Sequence, residues 1–470
     1  MKSKEKGLSS FHLTMLALGT VIGGSFFLGS SVAIHAAGPS ILLAFVLGGV
    51  LVYFILTALS EMTVADPGAG SFRAFAAGAF GKGAGFVVGW VYWTGMVLAM
   101  SSEATAASIF IRNWLPSLPL PLLGILIIVG VTLANLLGAK RLSRLESGLA
   151  AVKLFAVVSF IVLAALLILG LAGAPPVGTG ALADQPFMPG GFGGFMGSML
   201  IVMFSYAGFE IIGLAACEAC DPRHTVPRAI RNTVIWLVAL YVVSIGVLLP
   251  LVPTTAVSGD TSPFVSGLNA HGIGWAGAAI NVVLISAILS TMLAAMFGLG
   301  RMMRSLADEH MAPKWLREQA EVPRRGILFS GLSMLAGLGV GLLFPAVYLF
   351  LISSGGFALL FTYAVIMATH VRFRKKHGCP PDGKCQLRGY PYTTVVVLIA
   401  LVLAIAGMPL VPGQLSGLLA GGVLVAFFAL CYLVLKSQRQ KNAPGLRQYR
   451  SGLSAEASKE LDDFGGPKQP

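Results

Sequence analysis

From about residue 11 to residue 435 the chain reads as a succession of apolar runs of about 20 residues separated by short polar segments. Coiled as helices, runs of that length match the hydrocarbon thickness of a bilayer. Twelve predicted spans follow, at about 11–36, 41–60, 84–111, 119–138, 147–172, 193–217, 231–252, 275–300, 327–346, 348–370, 391–409 and 415–435. The expected fold is therefore an all-α polytopic membrane protein with twelve transmembrane helices. The polar stretch 437–470, rich in Gly, Ser, Lys and Glu, is expected as a disordered tail.

Two spans break their own pattern. The first carries Gly23 and Gly24 inside GTVIGGSFFLGSS, and the sixth carries Ser, Tyr, Gly and Glu inside FSYAGFEIIG, Phe204–Gly213. A glycine weakens a helix by about 1 kcal/mol relative to Ala, so a pair at mid-depth calls for a reason. Close helix packing is one reason. A second interruption five spans later points to another, because paired Gly-interrupted segments in two halves mark an inverted-repeat transporter. Repeat one would cover about 11–172, repeat two about 193–370, and two extra spans 391–435, so helices 1 and 6 of a five-plus-five fold are discontinuous. Residues 1–436 then form one transport domain. Unwound backbone presents NH groups that suit a carboxylate and carbonyls that suit an ammonium group. Both together suit a zwitterion.

Composition supports the membrane assignment, and charge orients it. The 470 residues are 56% hydrophobic and 11% charged, against about 25% charged in a soluble chain. The formal charge of +13 would suit nucleic acid if it were clustered, but it follows topology. With the N-terminus inside, only Arg112 of the 32 Lys and Arg falls outside and only Lys153 falls well within a span. Both termini are expected in the cytoplasm, under the positive-inside rule, and no nucleic-acid partner is expected. The N-terminal lysines and apolar run imitate a signal peptide, but the run continues too far and is read as a retained span. The five cysteines, Cys217, Cys220, Cys379, Cys385 and Cys431, fall in spans or on the cytoplasmic side, where thiols are expected to stay reduced. Cys379 and Cys385 have no matching second pair, so no metal site is expected. No nucleophile triad or phosphate loop is present, which argues against an enzyme and against any cofactor beyond a coupling ion.

Several segments resemble the amino acid permeases of the amino acid–polyamine–organocation superfamily, bacterial amino acid transporter branch. They are GTVIGGSFFLGSS with IHAAGPS, SEMTVADPGAGSFRAFAAGAFGKGAGFVVGWVYW (Ser60–Trp93), EACDPRHTVPRAIRNTV (Glu218–Val234), GLGRMMRSLADEHMAPKWL (Gly298–Leu316) and RGYPYT (Arg388–Thr393). The resemblance implies the same twelve-span fold in the plasma membrane and import of an amino acid driven by an ion gradient, with H+ as the expected coupling ion. An obligate exchanger and a non-transporting amino acid sensor are the rival readings. No charged residue is placed to meet a charged substrate side chain, which favours a neutral amino acid.

Carried onto this sequence, the resemblance implies a site at the two breaks. The NH groups of Gly23, Gly24 and Ser25, with Ile22 at the break, would take the substrate carboxylate. The carbonyls of Thr20, Val21, Phe204, Ser205 and Ala207 would take its amino group. Tyr206 and Phe209 are candidates for an aromatic lid, against simple packing. Lys153 lies about 9 Å into its span at 1.5 Å per residue, close enough to snorkel to the interface. Some proton-coupled members place a lysine of this span where sodium-coupled ones bind the ion, which makes Lys153 a coupling candidate. Glu210 and Glu103 are the other intramembrane ionisable groups and join it as coupling candidates, since such groups are costly unless paired, protonated or wet. Glu61 and Asp66 flank an inner loop and are expected to pair with its basic residues. His12 and His35 are expected at the two interfaces.

Overall fold

The computed structural model describes residues 9–66, 72–137, 139–171, 175–210, 222–257, 261–320, 322–379 and 385–441. Among them every regular element is helical. The N-terminal lysines, residues 67–71 of the loop motif, residues 211–221 with Cys217 and Cys220, and the tail from 442 lie outside the described residues.

The chain starts with α1 (Ser10–Val21), which Ser9 caps by accepting from the His12 NH. It resumes as α2 (Gly24–Phe27) and α3 (Gly29–Ala37), then turns through Pro39 into α4 (Ile41–Ala65). Next come α5 (Phe72–Phe80), α6 (Lys82–Arg112), α7 (Leu120–Asn135), α8 (Ala139–Ile168) and α9 (Gly191–Ser205). The remainder is α10 (Pro222–Leu248), the short α11 (Pro263–Ala270), α12 (Gly274–Asp308), α13 (Arg324–Gly341), α14 (Val347–His377), α15 (Tyr392–Ala406) and α16 (Gln414–Lys441).

Seven helical stretches are long and apolar enough to cross a membrane: Gly24–Ala65, Lys82–Arg112, Ala151–Ile168, Arg223–Leu248, Gly274–Asp308, Val347–His377 and Gln414–Gln438. Four further apolar helices, Ser10–Val21, Leu120–Asn135, Gly191–Ser205 and Tyr392–Ala406, are shorter. The chain is a multi-pass, all-helical membrane protein. Its surface says the same. Leu122, Leu126, Val129 and Leu133 expose one stripe of α7, and Leu415, Leu419, Val423, Leu430 and Val434 do so on α16. Residues three or four apart share a helix face, and such stripes suit only an apolar solvent.

The interior is built around α1–α3, α6, α9, α12 and α14. Among the described helices, α6 and α14 make the most extensive contact. Small residues allow it: a Cβ on Gly95 would stand 2.5 Å from Ala358 Cβ, and one on Gly355 would stand 3.0 Å from the Gly95 carbonyl. That close crossing sets the position of the α6 side chains that reach the first helix.

Candidate functional site

The first helix stops at Val21 because Ile22 (φ −74°, ψ 105°) and Gly23 (φ −140°, ψ −166°) are extended. The sixth run stops at Ser205, and residues 206–210 form a turn in which Gly208 sits at φ +103°. That φ is left-handed and favours glycine. The two breaks touch. Thr20 Oγ1, which donates to the Ala17 carbonyl at 3.0 Å, lies 3.4 Å from the Gly208 carbonyl, and Ser205 Oγ, which donates to the Ile201 carbonyl at 2.9 Å, lies 3.2 Å from the Ser25 carbonyl.

Each end of the first break meets an opposite charge. The Gly24 NH donates to Glu103 Oε2 at 2.7 Å and the Ser25 NH to Oε1 at 3.0 Å. Lys153 Nζ donates to the carbonyls of Gly19 and Ile22, the latter at 3.1 Å, and Thr291 Oγ1 on α12 shares its proton between the Ala287 carbonyl at 3.1 Å and the Ile22 carbonyl at 3.2 Å. Both charged side chains are buried, Lys153 completely. The arrangement follows helix electrostatics: a carboxylate complements freed NH groups and an ammonium complements freed carbonyls. Gly24 makes the approach possible, because its Cβ would stand 2.7 Å from Glu103 Oε2 and 2.9 Å from Ile288 Cγ1.

The second break is satisfied differently. Glu210 turns back on its own segment and accepts from the Gly208 NH at 3.0 Å. Its two oxygens also accept from Tyr92 of α6 at 2.7 Å and Tyr363 of α14 at 3.3 Å. One carboxylate thus ties three elements together.

Sequence-derived site residues are distributed as follows. Ile22, Gly23, Gly24 and Ser25 lie at the first break, where Glu103 now covers two of the NH groups. Thr20 and Val21 flank the carbonyls that Lys153 holds. Among the carbonyls of the sixth run, Phe204 accepts from the Ala207 NH at 3.0 Å and Ser205 accepts from Tyr241 at 2.9 Å. Tyr206 turns toward α4, donating to the Phe45 carbonyl at 2.8 Å and packing over Gly48 and Gly49. Phe209 packs on Tyr363 with ring centres 5.0 Å apart. Tyr92, Tyr241, Thr291 and Tyr363 were not anticipated, and nothing in their local sequence marks them.

Beyond the first break, a cavity of about 1120 Å³ opens at the end of the molecule that carries Arg112. Ser31, His35, Thr105, Asn113 and Tyr348 contribute to its wall. His12, at the other end of the first run, is exposed beside Ser9.

Two expectations are corrected near the opposite end. Glu61 does not pair within its own loop: its Oε1 lies 2.8 Å from Arg374 Nε and 3.3 Å from His370 Nε2, both on α14. The Nε–H is not aligned on that oxygen, so the Arg374 contact is an ion pair and not a hydrogen bond. Its Oε2 accepts from the Gln386 and Leu387 NH groups, each at 3.1 Å. The loop's Arg73 pairs instead with Glu309. Local spacing sees neither partner. Cys379 and Cys385, expected as free thiols, are joined as a disulfide, their Cα atoms 4.9 Å apart and within the reach of that bond. Arg374 contacts both sulfurs. Among the described residues no group of three or more His, Cys, Asp or Glu is arranged to hold a metal ion.

Comparison with known proteins matches residues 12–436 to the amino acid permease family. A γ-aminobutyric acid permease of Bacillus subtilis is 30% identical over 442 residues, covering 93% of this chain and 94% of that protein. A γ-aminobutyric acid permease of Escherichia coli K12 is 34% identical over 443 residues, with 93% and 95% covered. The aromatic amino acid transport protein of the same organism is 33% identical over 417 residues, with 87% and 91% covered.

Proposed function

This chain belongs to the amino acid permease family, and from that premise we propose that it imports a neutral L-amino acid across the plasma membrane by proton symport. It does so by alternating access, in a twelve-span, five-plus-five inverted repeat over residues 1–436 with both termini and the 437–470 tail in the cytoplasm. A permease of this family transports its substrate and leaves it chemically unchanged, so the site has only to bind, release and couple.

One observation carries the reading. The first break already holds a carboxylate on its NH groups and an ammonium on its carbonyls, supplied by Glu103 and Lys153. These are the two ends of a zwitterion, presented by the protein's own side chains. An amino acid whose carboxylate takes the Gly24 and Ser25 NH groups must displace Glu103. Two carboxylates cannot share one buried pair of donors without strong repulsion, so Glu103 leaves most readily as the neutral acid. Substrate binding and proton uptake are then one event. Lys153 holds the carbonyl end in register and offers a second exchangeable proton. The Glu210–Tyr92–Tyr363 cluster closes the side opposite the cavity and opens in the inward half of the cycle. The neutral preference rests on the absence, among the described residues, of a charged side chain at the breaks besides Glu103, Lys153 and Glu210. It also rests on relatives named for γ-aminobutyric acid and aromatic amino acids, which have no charged group besides the amine and carboxylate.

Uptake into proteoliposomes under an imposed pH gradient, acid outside and with no amino acid inside, tests the proposal. Accumulation above the external concentration that collapses with a protonophore is expected. Uptake that requires internal amino acid and ignores the gradient would establish an exchanger instead.

A further inference from the structure

Tyr348, at the start of α14, carries a buried hydroxyl with no hydrogen-bond partner in the described structure, although the residue is only 7% exposed. The other tyrosines around the breaks are all satisfied. Tyr92 and Tyr363 donate to Glu210, Tyr206 to the Phe45 carbonyl and Tyr241 to the Ser205 carbonyl. A buried hydroxyl without a partner costs stability, so its retention calls for a use.

Position supplies one. The hydroxyl stands 3.2 Å from the point a Gly29 Cβ would occupy, beside Ile201 and Ile352, so it presses against the restarted first helix. Tyr348 also lines the 1120 Å³ cavity together with Ser31 and Thr105. Thr105 stands on α6, the helix that also carries Glu103. The hydroxyl therefore lies at the cavity wall beside Gly29, which follows Ser25 by four residues along the restarted first helix.

We infer that Tyr348 is a substrate-binding residue whose hydroxyl donates to the carboxylate of the incoming amino acid. The inference rests on the transport reading above. A carboxylate offers about four lone-pair positions, and the two NH groups use only two, which leaves capacity for a third donor from the cavity side. Glu103 fills the same NH groups but does not engage Tyr348, so the hydroxyl distinguishes substrate from the internal carboxylate.

Tyr348→Phe tests this in proteoliposomes, with each of the twenty amino acids as probe and detergent-solubilised thermal stability measured in parallel. For the amino acid taken up fastest, KM rises about tenfold, the factor carried by one hydrogen bond to a charged group. The melting temperature stays level or rises, because an unpaired hydroxyl has gone. Inhibition constants of other neutral amino acids weaken by the same factor, since the contact is to the group they share. An unchanged KM overturns the inference, as does a KM rise accompanied by a lower melting temperature, which would mark a packing role. A rise confined to one class of side chain overturns the carboxylate assignment. Failure of the wild-type protein to take up any amino acid would overturn the transport reading itself, and is separable from a failure seen only in the variant.

Discussion

Glu103→Gln separates the charge of the internal carboxylate from its shape. In the wild type two backbone NH groups donate to a charged acceptor at 2.7 and 3.0 Å in a buried site. Such bonds contribute about 1.5–3 kcal/mol each, against about 0.5–1.5 for neutral pairs. Glutamine keeps one acceptor oxygen and turns an NH2 toward the second NH, so the variant loses about 2 kcal/mol or more of capping at the break. That same amount is what an incoming carboxylate has to overcome in the wild type. The substrate-free variant is therefore less stable, and substrate binds it more tightly by about 30-fold, at 1.4 kcal/mol per factor of ten. Binding also loses its dependence on pH, because no proton is needed to release the side chain. Calorimetric titration of the purified protein at neutral and mildly acidic pH reads the affinity, and gradient-driven uptake reads the coupling. The variant should exchange substrate across the membrane yet fail to concentrate it. A Glu103→Gln protein that accumulates substrate like the wild type, with wild-type affinity and pH dependence, would refute the competition between Glu103 and substrate.

Lys153→Ala leaves the Gly19 and Ile22 carbonyls without their ammonium and should abolish gradient-driven accumulation; full pH-driven uptake by this variant would remove Lys153 from the coupling scheme. Gly24→Ala places a Cβ 2.7 Å from Glu103 Oε2, so carboxylate or helix must shift. The expected cost is about 1–3 kcal/mol, read as a lower melting temperature, together with loss of uptake. Glu61→Gln removes the carboxylate from a buried cluster with Arg374 and His370, and should destabilise the protein by about 3–5 kcal/mol, because the arginine remains buried without its counter-charge. An unchanged melting temperature would show that water reaches Arg374.

The break in the first helix and the stop of the sixth run at Ser205 were legible in the sequence because they violate a simple rule: an apolar run has no local use for Gly-Gly or for Ser-Tyr-Ala-Gly-Phe-Glu; how the sixth run continues past Glu210 lies outside the described residues. Lys153, Glu103 and Glu210 were legible for the same reason, as ionisable groups in apolar surroundings. Their partners were not. Tyr92, Thr291 and Tyr363 sit in unremarkable helical sequence, and only the packing of α6, α12 and α14 on the breaks brings them there. The assignment of Glu103 shows the limit most clearly. Its span and depth could be read, but which backbone groups it would meet depended on the crossing of α6 over the first helix. Glu61 was misassigned because loop spacing reports neighbours in the chain, whereas its ion-pair partners lie on α14.

The two breaks, similar in sequence, solve the same problem in ways that fit different tasks. Unwinding a helix frees donors and acceptors that must find partners. At the first break those partners are the tips of side chains from α6 and α8, each able to withdraw without unfolding anything. On the proposed reading, exchange of an internal carboxylate for an external one there would need only side-chain movement, as a binding site requires. At the second break the partner is Glu210 from the turn itself, bound at once to its own backbone, to α6 and to α14. Releasing it means moving helices against each other, which is what a gate needs. Tyr206 and Phe209 are consistent with this division: Tyr206 is committed to α4 and Phe209 to Tyr363, so both follow the helices and neither covers the first break alone. On the proposed reading, binding would fall to the glycines of the first helix and closure to the glutamate of the sixth, with the approach of Thr20 to Gly208 joining the two.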